Sequence, residues 1–283
     1  MALQDEKQEG QVYKLIALDL DGTLTNDEKK VTSHTVDVLH RAVQKGAAIA
    51  LVSGRPTLGI GHVAAALSLD KIGGYILAYN GGHILDCRTG GDIYKAQFPR
   101  DCIQEAVDFA RRYQIAIVSY DDTGIVTEGP MDEYVAHEAY NNSIPAKQVP
   151  DLPAYLSYPF VKMVLCGDPK KIDMLEPIMS EHFKGRLDIY RAESIYLEIM
   201  PLGIKKSAGL QRLMDVLHIG REELLACGDA HNDLPMMELA GLSVAMENAY
   251  DNVKAAADYI TRSNNDDGVA YAIQKFVLDE QRV

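Results

Sequence analysis

Positive charge is scarce in this chain. Its 283 residues carry 28 Lys and Arg against 41 Asp and Glu, a formal net charge of −13. A general nucleic-acid binder wants a basic face, so that class is excluded, and an anionic ligand would need a local positive site. Long apolar runs are missing too. The longest candidates, such as residues 47–52, fit single strands, so no membrane association is expected. Cysteine is sparse: Cys87, Cys102, Cys166 and Cys227 are widely spaced and fit neither a zinc pattern nor a dense disulfide framework. Cys166 and Cys227 sit within apolar runs as small core residues do, and the reduced cytoplasm is the expected compartment. Residues 1–11 lack the apolar segment of a signal peptide or anchor and read as a loose polar tail. There is no internal repeat and no low-complexity tract, and Gly59-Ile60-Gly61 is too short for a dinucleotide fingerprint.

What is present is an ordinary globular composition, 47% hydrophobic and 24% charged, at a length that suits two domains. One stretch stands out: Leu15-Ile16-Ala17-Leu18-Asp19-Leu20-Asp21-Gly22-Thr23-Leu24, an apolar run that ends on two carboxylates. Alternation along a strand predicts that Asp19 and Asp21 share one face. Such a pair needs positive compensation, and a hard divalent cation such as magnesium suits carboxylate oxygens. Gly22 and Thr23 let the chain turn out of the strand.

Along the chain, strand and helix alternate up to about residue 82. Thr32 or Ser33 caps a helix with apolar Val36, Leu39 and Val43, closed by Gly46. Buried strands follow at 47–52, ending in Ser53-Gly54-Arg55-Pro56, and at 75–79, ending in Asn80-Gly81-Gly82. Strands too apolar to face water predict a parallel sheet covered by helices on both faces. From about His83 the rhythm changes to hairpins, such as the one around residues 121–124, and resumes at Gly203. The expected organisation is a tail (1–11), a doubly wound α/β core in two parts (12–83 and 200–283), and an inserted α+β domain (84–199).

Four polar signals then fall at the C-terminal ends of predicted parallel strands or at a helix start: Asp19/Asp21, Ser53, Lys206 and Asp229/Asn232/Asp233. In open α/β sheets that edge binds ligands. Three acidic side chains there could hold one magnesium ion, while Ser53 and Lys206 could take the oxygens of a phosphate. Beside a metal, an ionised Asp19 can attack phosphorus, and Asp21 can trade a proton with the leaving oxygen and then with water. His231 lies beside this site in sequence but is expected to point to a loop neighbour.

Asp19-Leu-Asp21-Gly-Thr-Leu, Val52-Ser53-Gly54-Arg55-Pro56, Pro201-Leu-Gly203-Ile-Lys205-Lys206 and Gly228-Asp229-Ala-His-Asn232-Asp233 resemble the four motifs of the haloacid dehalogenase superfamily. More narrowly, they resemble its Cof-type phosphatases, which carry a large α/β cap inserted after the third core strand. The resemblance covers nearly the whole chain from Tyr13. It implies that Asp19 is the nucleophile forming an aspartyl-phosphate and Asp21 the general acid/base, which also binds magnesium through its backbone carbonyl. It further implies that Ser53, with Gly54, and Lys206 bind phosphate, with Asn232 near it. By the same resemblance Asp229 would ligate magnesium and Asp233 would support the ion. The family spacing selects Lys206 over Lys205, and Ser207 stands where the family often has glycine. The implied activity is magnesium-dependent hydrolysis of small phosphorylated metabolites, sugar phosphates foremost, with a cap that closes over the substrate. A phosphomutase would share the aspartyl-phosphate. A phospho-acceptor signalling module is disfavoured by Asp21, which would speed hydrolysis. No pattern assigns an oligomeric state.

Overall fold

The computed structural model describes residues 12–280, so the tail expected at 1–11 lies outside the described residues. The chain divides into two compact units. One comprises the residues up to Tyr94 and those from Lys205 onward, and the other is Lys95–Ile204.

The first unit begins with β1 (Leu15–Leu18), β2 (Ala48–Val52), β3 (Tyr75–Ala78), β4 (His83–Asp86) and β5 (Gly91–Lys95). In the second unit lie β6 (Ala116–Asp121), β7 (Gly124–Thr127), β8 (Ala146–Gln148), β9 (Met163–Cys166), β10 (Leu187–Glu193) and β11 (Tyr196–Pro201). The first unit is completed by β12 (Leu224–Gly228), β13 (Leu242–Ala245) and β14 (Tyr259–Ile260).

In the first unit the sheet order is β14-β13-β12-β1-β2-β3-β4-β5, with β1 central. The strands from β14 to β3 are parallel, and β4 returns antiparallel to β3. Every side chain of β1 is fully buried, as are Ile49 to Val52 and Leu224 to Cys227 beside it, which is why these strands read as unbroken apolar runs. Burial of each large side chain stabilises the sheet by about 1.5–3 kcal/mol. From β1 the chain steps to β2 and β3 on one side, and from β12 to β13 and β14 on the other. The chain winds outward in opposite directions from β1 and β12, and by the right-handed rule for parallel crossovers this puts helices on both faces, the doubly wound α/β architecture expected.

The helix Ser33–Gln44 is capped by Thr32, whose hydroxyl accepts from Thr35 N at 3.1 Å. Its buried stripe is Thr35, Val38, Leu39 and Ala42, one step off the expected Val36, Leu39 and Val43. The polar Thr35 turns inward because Asp267 accepts its hydroxyl at 2.9 Å. That partner, 232 residues away, leaves no trace in the local pattern.

In the second unit the order is β10-β11-β9-β6-β7-β8. The helices Arg100–Tyr113 and Pro169–His182 pack their buried residues, among them Val107, Leu175 and Met179, with Met163, Leu165 and Leu197 of the strands. The hairpin expected around residues 121–124 joins β6 and β7.

The boundaries of this unit, Lys95 and Ile204, are displaced from the expected 84 and 199. Strands β4 and β5 form a hairpin, yet they extend the first unit's own sheet. The change of rhythm at His83 therefore marks a reversal of strand direction and not a domain border. No helix among the described residues is long and apolar enough to cross a membrane.

Candidate active site

Asp19 follows β1 directly, its N–H donating to Cys227 O at 3.1 Å and so continuing the ladder one residue further. The chain then folds on itself: Thr25 N donates to Leu20 O at 2.9 Å and Leu24 N to Asp19 O at 3.2 Å. Gly22 makes this turn possible. Its φ is +82°, and a Cβ there would lie 2.5 Å from Asp229 Oδ2.

The ladder ends at Asp19, and the two carboxylates take different partners. Asp19 is 6% exposed, and its Oδ1 accepts from Lys206 Nζ at 2.5 Å. Asp21 instead receives Arg55 at both oxygens, Nη2 to Oδ1 at 2.7 Å and Nε to Oδ2 at 2.8 Å. Lys29 Nζ adds a further donation to Oδ1 at 2.7 Å. The turn gives each carboxylate its own cationic partner.

Lys206 starts the helix Lys206–Leu217 and is 3% exposed. Its ammonium also donates to Asp233 Oδ1 at 2.6 Å. The other oxygen of Asp233 accepts the backbone N–H groups of Asp229 at 3.1 Å and Ala230 at 3.0 Å. Asp233 therefore holds both the lysine and the loop that follows β12. Asp229 is kept in place by Thr23, whose hydroxyl donates to Oδ1 at 2.7 Å.

Ligand oxygens of Asp19, Asp229 and Asp233 all lie within 4.8 Å of one another. Three carboxylates face a single ammonium, an arrangement with an excess of negative charge. Burial, then repulsion from Asp233, drives the Asp19 carboxyl well above its ordinary value. Asp229 is raised as well, by burial first and then by Asp233 against the opposing donation from Thr23. Lys206 would be lowered by burial, but Asp19 and Asp233 outweigh that and keep it an ammonium. For Asp21 burial opposes ionisation, yet the hydrogen bonds and charge of Arg55, then Lys29, hold its carboxyl below the ordinary value. An all-oxygen donor set short of positive charge fits a hard divalent cation. The carboxylate of Asp21 is not among these three.

A family model for haloacid dehalogenase-like hydrolases matches residues 16–273. The chain belongs to this family. A protein of Streptococcus pyogenes serotype M6, provisionally named a phosphatase, is 31% identical over 268 residues, covering 94% of this chain and 99% of the relative. The 5-amino-6-(5-phospho-D-ribitylamino)uracil phosphatase YcsE of Bacillus subtilis is 30% identical over 267 residues, 94% of this chain and 96% of its own. The crystal structure of a haloacid dehalogenase-like hydrolase from Bacteroides thetaiotaomicron superposes with a TM-score of 0.90 at 40% identity, covering 93% of this chain and 99% of that one. This haloacid dehalogenase-like hydrolase is a phosphatase.

Of the residues singled out in the hydrolase's sequence, Asp19, Lys206, Asp229 and Asp233 meet in one cluster. Ser53 ends the run of β2, is buried, and its hydroxyl accepts from Arg55 N at 3.1 Å. Gly54 packs on Asn80, where a Cβ would come within 3.3 Å of Oδ1. Asn232 is exposed. His231 turns to its loop neighbours as expected, stacking on Tyr250 with centroids 4.6 Å apart and meeting Asn252 Nδ2 at 2.9 Å through Nδ1. The sequence motif contains Arg55 with no role assigned to it, Thr23 was read only as a turn residue, and Lys29 and Asn248 were not singled out. Asn248 donates to Gly22 O at 2.7 Å and so pins the turn. An unassigned arginine two residues beyond the Ser53 strand end was the available signal for Asp21's partner.

Proposed function

We propose that this hydrolase removes phosphate from small phosphorylated metabolites, sugar phosphates foremost, through an aspartyl-phosphate on Asp19 with magnesium as its ion. The observation that carries the reading is the buried contact of Lys206 Nζ with Asp19 Oδ1 at 2.5 Å, which sets an anion-attracting ammonium beside a carboxylate nucleophile. A carboxylate oxygen of Asp19 attacks phosphorus and the bond to the leaving oxygen breaks, while Lys206 and Ser53 take non-bridging oxygens of the phosphoryl group. Asp21, in its protonated form, gives its proton to the leaving alkoxide. It then removes one from the water that attacks the aspartyl-phosphate, and inorganic phosphate departs with Asp19 regenerated. Asp19 and Asp229, with Asp233 in support, would hold a magnesium ion, which would neutralise charge on the phosphate oxygens.

Support for a polyol or sugar leaving group comes from YcsE, whose name describes a phosphate carried on a ribityl chain. The four free cysteines support a reduced compartment, the cytoplasm.

The test is purified protein with magnesium, assayed for free phosphate on an aryl phosphate and on a panel of hexose, pentose and polyol phosphates. Release from at least one sugar or polyol phosphate, lost in Asp19→Asn, is expected. Absence of any release from the whole panel would sink the reading.

A further inference from the structure

We infer that His83 is a positioning residue for the phosphate site, acting through Thr57 to fix the strand-end segment that carries Ser53; this rests on the assignment of Ser53 and Lys206 as phosphate ligands.

The loop after β3 is strained. Tyr79, Asn80 and Gly81 stand consecutively in the left-handed region, with φ of 51°, 55° and 85°. Each of the two non-glycine residues costs on the order of 1 kcal/mol or more, which persists only where surroundings hold it. The loop is held on two sides. On one side Tyr79 N donates to Arg55 O and Asn80 N to Ser53 O, each at 2.9 Å. On the other, Gly81 lies against the helix that begins at Lys206: a Cβ on Gly81 would fall 2.8 Å from Gly209 Cα and 3.1 Å from Lys205 O. One strained loop thus touches the elements bearing both phosphate ligands, which lie 153 positions apart in sequence.

His83 leaves this loop and is 7% exposed. Its Nε2 meets Asp92 Oδ1 at 2.6 Å and its Nδ1 meets Thr57 Oγ1 at 2.7 Å. The ring thus turns its Nε2 side to the Asp92 carboxyl and its Nδ1 side to the Thr57 hydroxyl, engaging both nitrogens. Thr57 opens the helix Thr57–Ala66, four residues after Ser53. That helix has Pro56 at its N-cap and no side-chain cap. The tie to His83 anchors the first residue of that helix and so sets where the segment 53–57 stops. A buried histidine with both nitrogens engaged could serve the core alone, so the experiment must separate alignment from stability.

Three variants of the full chain do so: Thr57→Val, His83→Asn, whose amide takes the place of Nδ1, and His83→Gln, whose amide reaches the place of Nε2. Inhibition constants for inorganic phosphate and orthovanadate are measured with steady-state kinetics on an aryl phosphate and with the melting temperature. Thr57→Val and His83→Gln are expected to weaken phosphate and vanadate inhibition about tenfold, the effect of one misplaced buried hydrogen bond. The double variant should be no worse than the stronger single one, and His83→Asn should recover most of the loss. Unchanged inhibition constants in Thr57→Val and His83→Gln, with or without a lower melting temperature, would overturn the inference. Ser53→Ala is the control. If phosphate inhibits the wild type and Ser53→Ala weakens it while Thr57→Val does not, only the role of His83 fails. If Ser53→Ala has no effect, the assignment of the phosphate ligands fails and the inference with it.

Discussion

Arg55 grips Asp21 through both carboxylate oxygens, at 2.7 and 2.8 Å, in the forked geometry that only a guanidinium offers. Replacing Arg55 by Lys keeps the charge but not the fork. Both Arg55→Lys and Arg55→Ala are expected to lower kcat, by about 10- to 100-fold, part of the contribution of an aligned acid/base. Wild-type kcat in Arg55→Lys would show that charge alone suffices.

Asp19→Asn should abolish turnover, a loss of about 10³-fold or more, because an amide cannot form the acyl phosphate. Acid quenching of the wild type during turnover should trap phosphate on the protein, and mass spectrometry should place it on Asp19. Phosphate trapped at another residue would reassign the nucleophile.

Chelation should stop turnover, and magnesium should restore it. An ion that relieved the crowded carboxylates only in the folded chain would also raise the melting temperature when magnesium is added. Asp229→Ala should shift the magnesium dependence of activity to higher concentration, and an unshifted dependence would take Asp229 out of the ion's site.

Backbone meets backbone at Gly81 and Gly209: a Cβ on Gly209 would lie 2.5 Å from Gly81 Cα. Neither partner can yield by turning a side chain. Gly209→Ala is expected to destabilise by about 1–3 kcal/mol, as overpacking does. It should also weaken phosphate binding, since the displaced helix carries Lys206. Thermal unfolding and phosphate inhibition of the same sample test both.

The second unit has its own pH signature. Hydrogen bonds from Arg186, then from His182, lower the Glu105 carboxyl from 4.5 to about 2. A carboxyl depressed in the folded state stabilises above its unfolded pKa, and that contribution is lost as pH falls through the folded one. Wild type and Glu105→Gln should therefore differ in denaturant midpoint near neutrality and converge between about pH 4.5 and 2. Glu105 is 37% exposed, so solvent keeps the difference small. A gap that persists at the acid end would assign the effect to packing.

The strands were legible because burial on both faces writes itself as uninterrupted apolar residues, and the site because polar residues closing such runs have little structural excuse. Asp19, Asp229 and Asp233 were found in that way, whereas Lys206 was read at a helix start and chosen over Lys205 by the family spacing. What stayed hidden depends on distance in sequence or on direction. The pairing of Arg55 with Asp21 spans 34 residues, and that of Thr35 with Asp267 spans 232. Strands β4 and β5 look like a hairpin of either unit until the sheet they join is known. The tie of Thr57 to His83 was invisible for the same reason, since neither residue breaks a local pattern.

The second unit departs from the first at Lys95 and rejoins it after Ile204, so its rear seam falls one residue before Lys205 and two before the ammonium of Lys206. The front seam falls on the last residue of β5, three positions past Asp92, the partner of His83. Grafting experiments thus face a constraint at both ends. A slip where the chain goes out would disturb the strand that carries Asp92, and a single-residue slip where it comes back would rotate the start of the helix and misplace the one cation that Asp19 and Asp233 share.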